Sequence, residues 1–237
     1  MFAHCNIVNC YIAGPSWEEV GVCLKEGIET KVCINRHAIS SCRNAQHKVA
    51  KVLRFTLDNL EEFLEHRPNL KVIHLFRDPR AIINSRISTT WYPSSTEKMI
   101  LDNARALCKK MAIDYKKGLD LLKKYPNRFR FLYYEDLNDE PLSQVKKLYR
   151  YLGMSVDPVK YPKVKTLPVF ASNDQKSERE KNTAFWWRKS LKWEYAKKVD
   201  EICKDIYETL GYRPFAGELG LRNLTIPSVR IPKQYKL

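Results

Sequence analysis

The chain has 237 residues, of which 44% are hydrophobic and 11% aromatic, and 42 Lys and Arg against 27 Asp and Glu give it a formal charge of +15. This composition excludes a disordered chain, and a total of only 8 glycines excludes a glycine-rich repeat. No apolar run reaches the roughly 18 residues of a membrane-spanning helix, so the charge points to anionic partners: nucleotides, nucleic acid, anionic glycans or acidic lipid headgroups.

The length suits a single domain. Residues 1–46 hold Cys5, Cys10, Cys23, Cys33 and Cys42, five of the seven cysteines, and read as a cysteine-rich loop region with a Gly14-Pro15-Ser16 turn. No CxxC pair is present, which argues against a zinc module. The dense set favours disulfides in an oxidising lumen over buried thiols in a cytosolic protein. An odd count leaves at least one thiol free or paired outside the chain.

"KVAKVLRF" (48–55) reads as a short strand and "LDNLEEFLEH" (57–66) as a helix. "LKVIHLF" (70–76) reads as a strand buried on both faces of a parallel sheet. "PRAIINSRI" (79–87) starts a helix, with Asp78 as cap and Pro79 at its first position. A long helix is expected over 97–124, and a strand over "RFRFLYYEDL" (128–137). A helix ended by glycine follows at "LSQVKKLYRYLG" (142–153). Residues 155–183 read as a long loop, 194–212 as one amphipathic helix ended by glycine, and 213–237 as an irregular tail. Strands alternating with helices predict an α/β fold around a parallel sheet.

The segment "KVIHLFRDPRAIINSR" (71–86) runs an apolar strand into a cluster of positive charge. The carboxyl edge of a parallel strand followed by a helix amino terminus forms an anion site. Arg77 at the junction and Arg80 in the first turn carry guanidinium forks that match phosphate oxygens. Ala81 and Ser85 are one turn apart. The competing reading pairs both arginines with Asp78 and other acids.

"RDPRAIINS" resembles the 3'-phosphate-binding motif of the sulfotransferases that use 3'-phosphoadenylyl sulfate. The wider wording resembles the Golgi carbohydrate 6-O-sulfotransferases acting on N-acetylglucosamine, galactose or N-acetylgalactosamine. "CRNAQHKVAKVLR", "FLYYEDLNDEPLSQVKKLYRYLGM" and "WRKSLKWEYAKKVDEICKDIYETLGYRP" resemble further family segments, in family order, so the likeness runs from about residue 32 to 215. It implies a P-loop-kinase-like sulfotransferase fold. It also implies a donor site in which Arg77 and Ser85 hold the 3'-phosphate within the segment Arg77, Asp78, Pro79, Arg80 and Ser85. Lys51 is then expected at the phosphosulfate, Arg54 either beside it or in a structural pair, and Arg188 near the 3'-phosphate. The co-substrate is 3'-phosphoadenylyl sulfate, with no metal. The acceptor is a glycan or proteoglycan and not nucleic acid, and the compartment is the Golgi lumen.

The family also opens with a 5'-phosphosulfate loop, an Arg-x-Gly-Ser-Ser strand–loop–helix, for which this sequence has no counterpart. The chain is therefore expected to be an N-terminally truncated form of a type II membrane protein, lacking the first strand of the fold. A catalytically impaired fragment that binds nucleotide or anionic glycan without turnover is the alternative.

The general base stays unassigned. His47 precedes the Lys51 strand, and His74 reads as a core residue. Glu135 and Asp136 read as structural more than as an acid–base pair, and Tyr133 replaces an arginine common in the family. Lys176, Arg179 and Lys181 read as a solvated loop. Cys108 and Cys203 occupy positions where the family often has cysteines, so the resemblance admits their pairing. Asn223-Leu224-Thr225 is a glycosylation triplet that fits a secretory protein. Lys109, Lys116 and Lys123, with Lys110, Lys117 and Lys124, form a seven-residue repeat, read as a solvated face or as a guide for an anionic glycan.

Overall fold

The computed structural model describes residues 16–39, 47–53, 55–89, 96–154, 183–230 and 232. The chain divides into two compact units, residues 1–55 and 56–237.

Of the loop region expected over 1–46, the described residues 16–39 are largely helical. Helix α1 (Ser16–Lys25) leads through a turn to α2 (Thr30–Cys33), which continues into a π-type turn over Ile34–Ile39. Gly27 makes the turn at φ 77°, a backbone angle that glycine adopts without a Cβ penalty. A disulfide joins Cys23 to Cys33, and Ile28 and Ile34 pack on the pair. The strand expected over 48–55 is absent from its described residues: 47–53 have no regular structure, and Val49, Val52 and Leu53 are exposed. A strand needs a neighbour for its backbone N–H and C=O groups, and no described residue pairs with this segment. Arg54 lies outside the described residues.

The second unit opens with a 3-10 turn (Leu57–Asn59) and α3 (Leu60–His66). Strand β1 (Val72–Phe76) pairs in parallel with β2 (Phe129–Tyr133), Phe76 opposite Tyr133. Between them run α4 (Pro79–Ile87) and α5 (Glu97–Lys124), the crossover that parallel strands require. The arrangement is α/β. The expected burial of β1 on both faces is not met: Leu75 is 50% exposed and Val72, Ile73 and His74 are half-buried. Its physical reason is that β2 is its one neighbour among the described residues.

Helix α5 has 28 residues, about 42 Å of length, capped by the Thr96 side chain on the Met99 N–H. Its buried positions Ile100, Ala104, Leu107, Cys108, Met111, Gly118 and Leu121 recur at helical spacing and cover the sheet. Gly118 allows the closest approach, since a Cβ there would stand 2.5 Å from Phe131 Cζ. The strand expected to reach residue 137 stops at Tyr133, and α6 (Tyr134–Asp139) follows with Glu135 and Asp136 in its first turn, where the helix dipole favours acids. Helix α7 (Pro141–Leu152) ends on Gly153 in the left-handed conformation, as expected.

Residues 155–182, including Lys176, Arg179 and Lys181, lie outside the described set. After α8 (Trp187–Ser190), the single helix expected over 194–212 is two: α9 (Trp193–Ile202) and α10 (Lys204–Leu210). Cys203 leaves the helical well between them, at φ −100° and ψ 11°. This break lets the buried faces of both helices, Ala196 and Val199 then Ile206, Tyr207 and Leu210, meet the core. A disulfide joins Cys203 to Cys108 of α5. The tail is not wholly irregular: it holds α11 (Glu218–Arg222), and an isolated bridge pairs Tyr212 with Val229.

Candidate functional site

The carboxyl ends of the two parallel strands deliver Arg77-Asp78 and Tyr134-Glu135 side by side. The Arg77 guanidinium lies over the Tyr134 ring, 4.7 Å from its centroid, in a cation–π contact that fixes the side chain. Arg77 is half-buried, and its Nε is shielded from solvent with no hydrogen-bond partner among the described residues. An unsatisfied buried donor costs about 1–3 kcal/mol, so this nitrogen is poised for an acceptor.

Glu135 holds the turn between β1 and α4. Its Oε1 accepts the Asp78 N–H at 2.8 Å, and Tyr212 donates to Oε2 at 3.4 Å. Burial, reinforced by the nearby Asp78 carboxylate, pushes the Glu135 pKa up to about 8. The Asp78 side chain caps α4, accepting the Arg80 N–H at 2.9 Å, with Pro79 buried at the first helical position. The amino terminus of α4 therefore already carries an internal carboxylate.

Arg80 is fully buried. Its Nε and Nη2 donate to the two Asp78 oxygens at 3.0 and 2.8 Å, and Nη1 donates to Asp200 of α9 at 3.0 Å and to the Arg213 carbonyl at 2.9 Å. Burial opposes its charge, but the Asp78 carboxylate and its other partners more than offset this and raise its pKa. Asp200 itself is pushed up to about 6 by burial, against the pull of Arg80. The donors that the sequence offered to a phosphate are engaged by protein, which is the competing reading of Arg80.

Arg188 is equally committed. Its Nε donates to the Leu221 carbonyl, Nη1 to Ile226, and Nη2 to Gly220 and Asn223, at 2.6 to 3.0 Å. The side chain is 1% exposed. Burial and the Arg80 charge lower its pKa to about 10. Arg77 is thus the arginine of the three with unspent capacity for an anion. Ser85 is exposed on α4, two turns past the strand end, whereas Ala81 is buried; Asn84 between them donates to Ser190 at 3.0 Å.

Lys51 lies in the first unit, exposed, within the unpaired segment 47–53, and His47 is exposed in the same segment. His74 packs edge-on against Phe76, its centroid 4.7 Å away, and burial lowers its pKa to about 4, so its ring is neutral at physiological pH. Tyr133 is buried. Among the described residues no group of three or more His, Cys, Asp and Glu is placed to hold a metal. The lysine repeat of α5 splits in two. Lys110 pairs with Asp114, Lys117 with Glu61, and Lys124 with Glu61 and Glu65. Lys109, Lys116 and Lys123 are exposed.

Sequence reasoning overlooked Tyr134 and Asp200. Asp200 had a visible signal: an acid adjoining Val199 and one turn from Ala196, on a stripe that is otherwise apolar. Tyr134 had none, since it became a partner of Arg77 only through the strand register.

A family model described as the sulfotransferase domain matches residues 30–212. Carbohydrate sulfotransferase 6 of Homo sapiens is 28% identical to the chain over 220 residues, covering 81% of this chain and 54% of that protein. Carbohydrate sulfotransferase 1 of Danio rerio is 27% identical over 246 aligned positions, 94% of this chain and 58% of that protein. Carbohydrate sulfotransferase 3 of Tetronarce californica is 27% identical over 196 residues, 74% and 44% respectively. The chain spans about half the length of the curated relatives it matches.

Proposed function

The chain belongs to the sulfotransferase domain family, and on that premise we propose that it serves sulfate transfer from 3'-phosphoadenylyl sulfate to a carbohydrate hydroxyl, the 6-hydroxyl of N-acetylglucosamine, galactose or N-acetylgalactosamine in a glycan or proteoglycan. The observation that carries this is Arg77: a guanidinium at the carboxyl edge of a parallel strand pair, steadied by Tyr134, with a buried Nε that has no acceptor among the described residues. A phosphate of the donor supplies that acceptor, and Ser85 two turns along α4 offers a hydroxyl to the same group. Asp78, Pro79, Arg80, Glu135 and Asp200 position the turn. Lys51 is assigned to the phosphosulfate on family likeness. The donor supplies an activated sulfuryl group, whose spreading negative charge cations stabilise. The Golgi lumen is the proposed compartment, in keeping with two disulfides among the described residues.

A second reading, nucleotide binding without turnover, is favoured by the commitment of Arg80 and Arg188 to protein partners. One experiment separates the two. Calorimetric titration with adenosine 3',5'-bisphosphate is run beside transfer of labelled sulfate to N-acetylglucosamine- and galactose-terminated glycans. Saturable binding with transfer supports the enzyme, and binding without transfer supports the second reading. A folded protein that shows no saturable nucleotide binding contradicts both.

A further inference from the structure

Asn223-Leu224-Thr225 is the sole Asn-x-Ser/Thr triplet in the sequence. In the structure it lies at the surface, just after α11, with Asn223 and Thr225 both exposed. The triplet is folded on itself: the Thr225 N–H and its Oγ1 both donate to Asn223 Oδ1, at 3.0 and 2.8 Å. Both hydrogen bonds to the Asn223 side chain fall on Oδ1, and Nδ2 has no partner among the described residues.

The backbone beneath is fixed from inside. Arg188 Nη2 donates to the Asn223 carbonyl at 2.6 Å, the Ile226 N–H donates to the same carbonyl at 3.1 Å, and the Asn223 N–H donates to Leu219 at 3.1 Å. The buried side of the turn is thus occupied by protein and its outer side is free to carry a substituent. Two apolar side chains border it without cover, Leu219 at 89% and Ile226 at 41% exposure.

We propose that Asn223 is an N-glycosylation site and that its glycan shields the Leu219–Ile226 surface. The co-reactant is an oligosaccharide linked to a lipid pyrophosphate. Nδ2 forms a bond to the anomeric carbon of the first sugar, and the bond from that carbon to the phosphate oxygen breaks. The lipid pyrophosphate leaves with the electron pair, and one Nδ2 proton passes to a base of the transferring enzyme. The Thr225 hydroxyl, by donating to Oδ1, draws electron density from the amide and eases loss of that proton. A bulky polar group is then held in water by a turn that folding leaves outward. The inference rests on the lumenal compartment proposed above, and neither the resemblance nor the donor site assigns it.

The test places the full chain behind a cleavable secretion signal in a eukaryotic cell and reads the lumenal, protease-protected fraction. Digestion with peptide N-glycosidase and intact mass measurement are expected to reveal a single glycan whose removal converts Asn223 to aspartate. Asn223→Gln and Thr225→Ala lose the increment, and Thr225→Ser, which keeps the hydroxyl, retains it. A lumenal wild-type chain without a glycosidase-sensitive increment, or an increment that survives in Asn223→Gln, overturns the proposal. Nucleotide binding is measured on the same preparation, so an unmodified chain that binds adenosine 3',5'-bisphosphate defeats this inference alone.

Discussion

Arg80 and Arg188 share one aromatic ring: their guanidinium carbons lie 5.0 and 4.3 Å from the centroid of Phe215. Two buried cations so close are tolerable only because each is surrounded by acceptors, carboxylates for Arg80 and carbonyls for Arg188.

Removing one of those carboxylates is therefore costly. Asp200→Ala is expected to destabilise the protein by about 3 kcal/mol or more at neutral pH, because it strips a partner from a buried charge. Equilibrium urea unfolding measures this. Burial raises the Asp200 pKa to about 6 from an ordinary 3.8, so as the pH falls from 7 to 5 the folded wild type takes up a proton that its unfolded state does not, and the gap between wild type and variant widens there. A loss below about 1 kcal/mol at pH 7, the value of an ordinary surface pair, would count against the bridge.

Arg77→Ala is expected to weaken binding of adenosine 3',5'-bisphosphate by about 1.5–3 kcal/mol, roughly ten- to a hundredfold, if it holds the phosphate by charge-assisted bonds. Because Arg77 is half-buried and its Nε has no partner among the described residues, stability should change far less than affinity. Calorimetry with and without nucleotide reads both. Undiminished affinity would remove this residue from the site.

Glu135 sets a pH dependence. Its pKa is about 8 in the folded protein against an ordinary 4.5, so between those values the folded state holds a proton that the unfolded state has lost. The stability this contributes is full below about pH 4.5 and is lost as the pH rises through 8. At about 1.4 kcal/mol per unit, the whole drift amounts to several kcal/mol. Glu135→Gln, which cannot ionise yet still presents an oxygen to the Asp78 N–H, is expected to flatten it in unfolding midpoints measured from pH 5 to 8. An unaltered slope would place the proton elsewhere.

The Cys108–Cys203 disulfide spans 95 residues of sequence. Closing a loop of that size removes unfolded-state entropy equivalent to about 4.7 kcal/mol. Cys203→Ala should lower stability by an amount approaching that figure, and reductant should then have little further effect through this bond. Chemical denaturation with and without reductant tests it.

The lysine repeat gives a graded expectation. Lys124 closes ion pairs with Glu61 and Glu65, so Lys124→Ala should lower stability slightly and less so in high salt. Lys123, exposed beside it, should leave stability unchanged when replaced by Ala and affect only the salt dependence of acceptor use. Thermal melts at low and high ionic strength distinguish the pair.

What could be read from the sequence was whatever rests on neighbours along the chain. The Asp78 cap, Pro79 at the first helical position, the bounds of α5 and the glycine stop at Gly153 all follow from local chemistry, and all are present. The likeness spread over four segments led to the same family as the domain match. What failed depended on distant partners. Segment 48–55 has the composition of a strand but no ladder to join among the described residues. Arg80 and Arg188 look alike in sequence to Arg77, yet Asp200 and a set of tail carbonyls claim them first. Such claims are written in the tertiary arrangement and not in spacing.

The four carbonyls gathered by Arg188 come from residues 220 to 226, in and just after α11. A protease that clipped the chain ahead of Gly220 would strand a positive charge in the core with nothing to receive its protons. The final stretch is thus a structural closure, and trimming it should unfold the second unit and not merely shorten it.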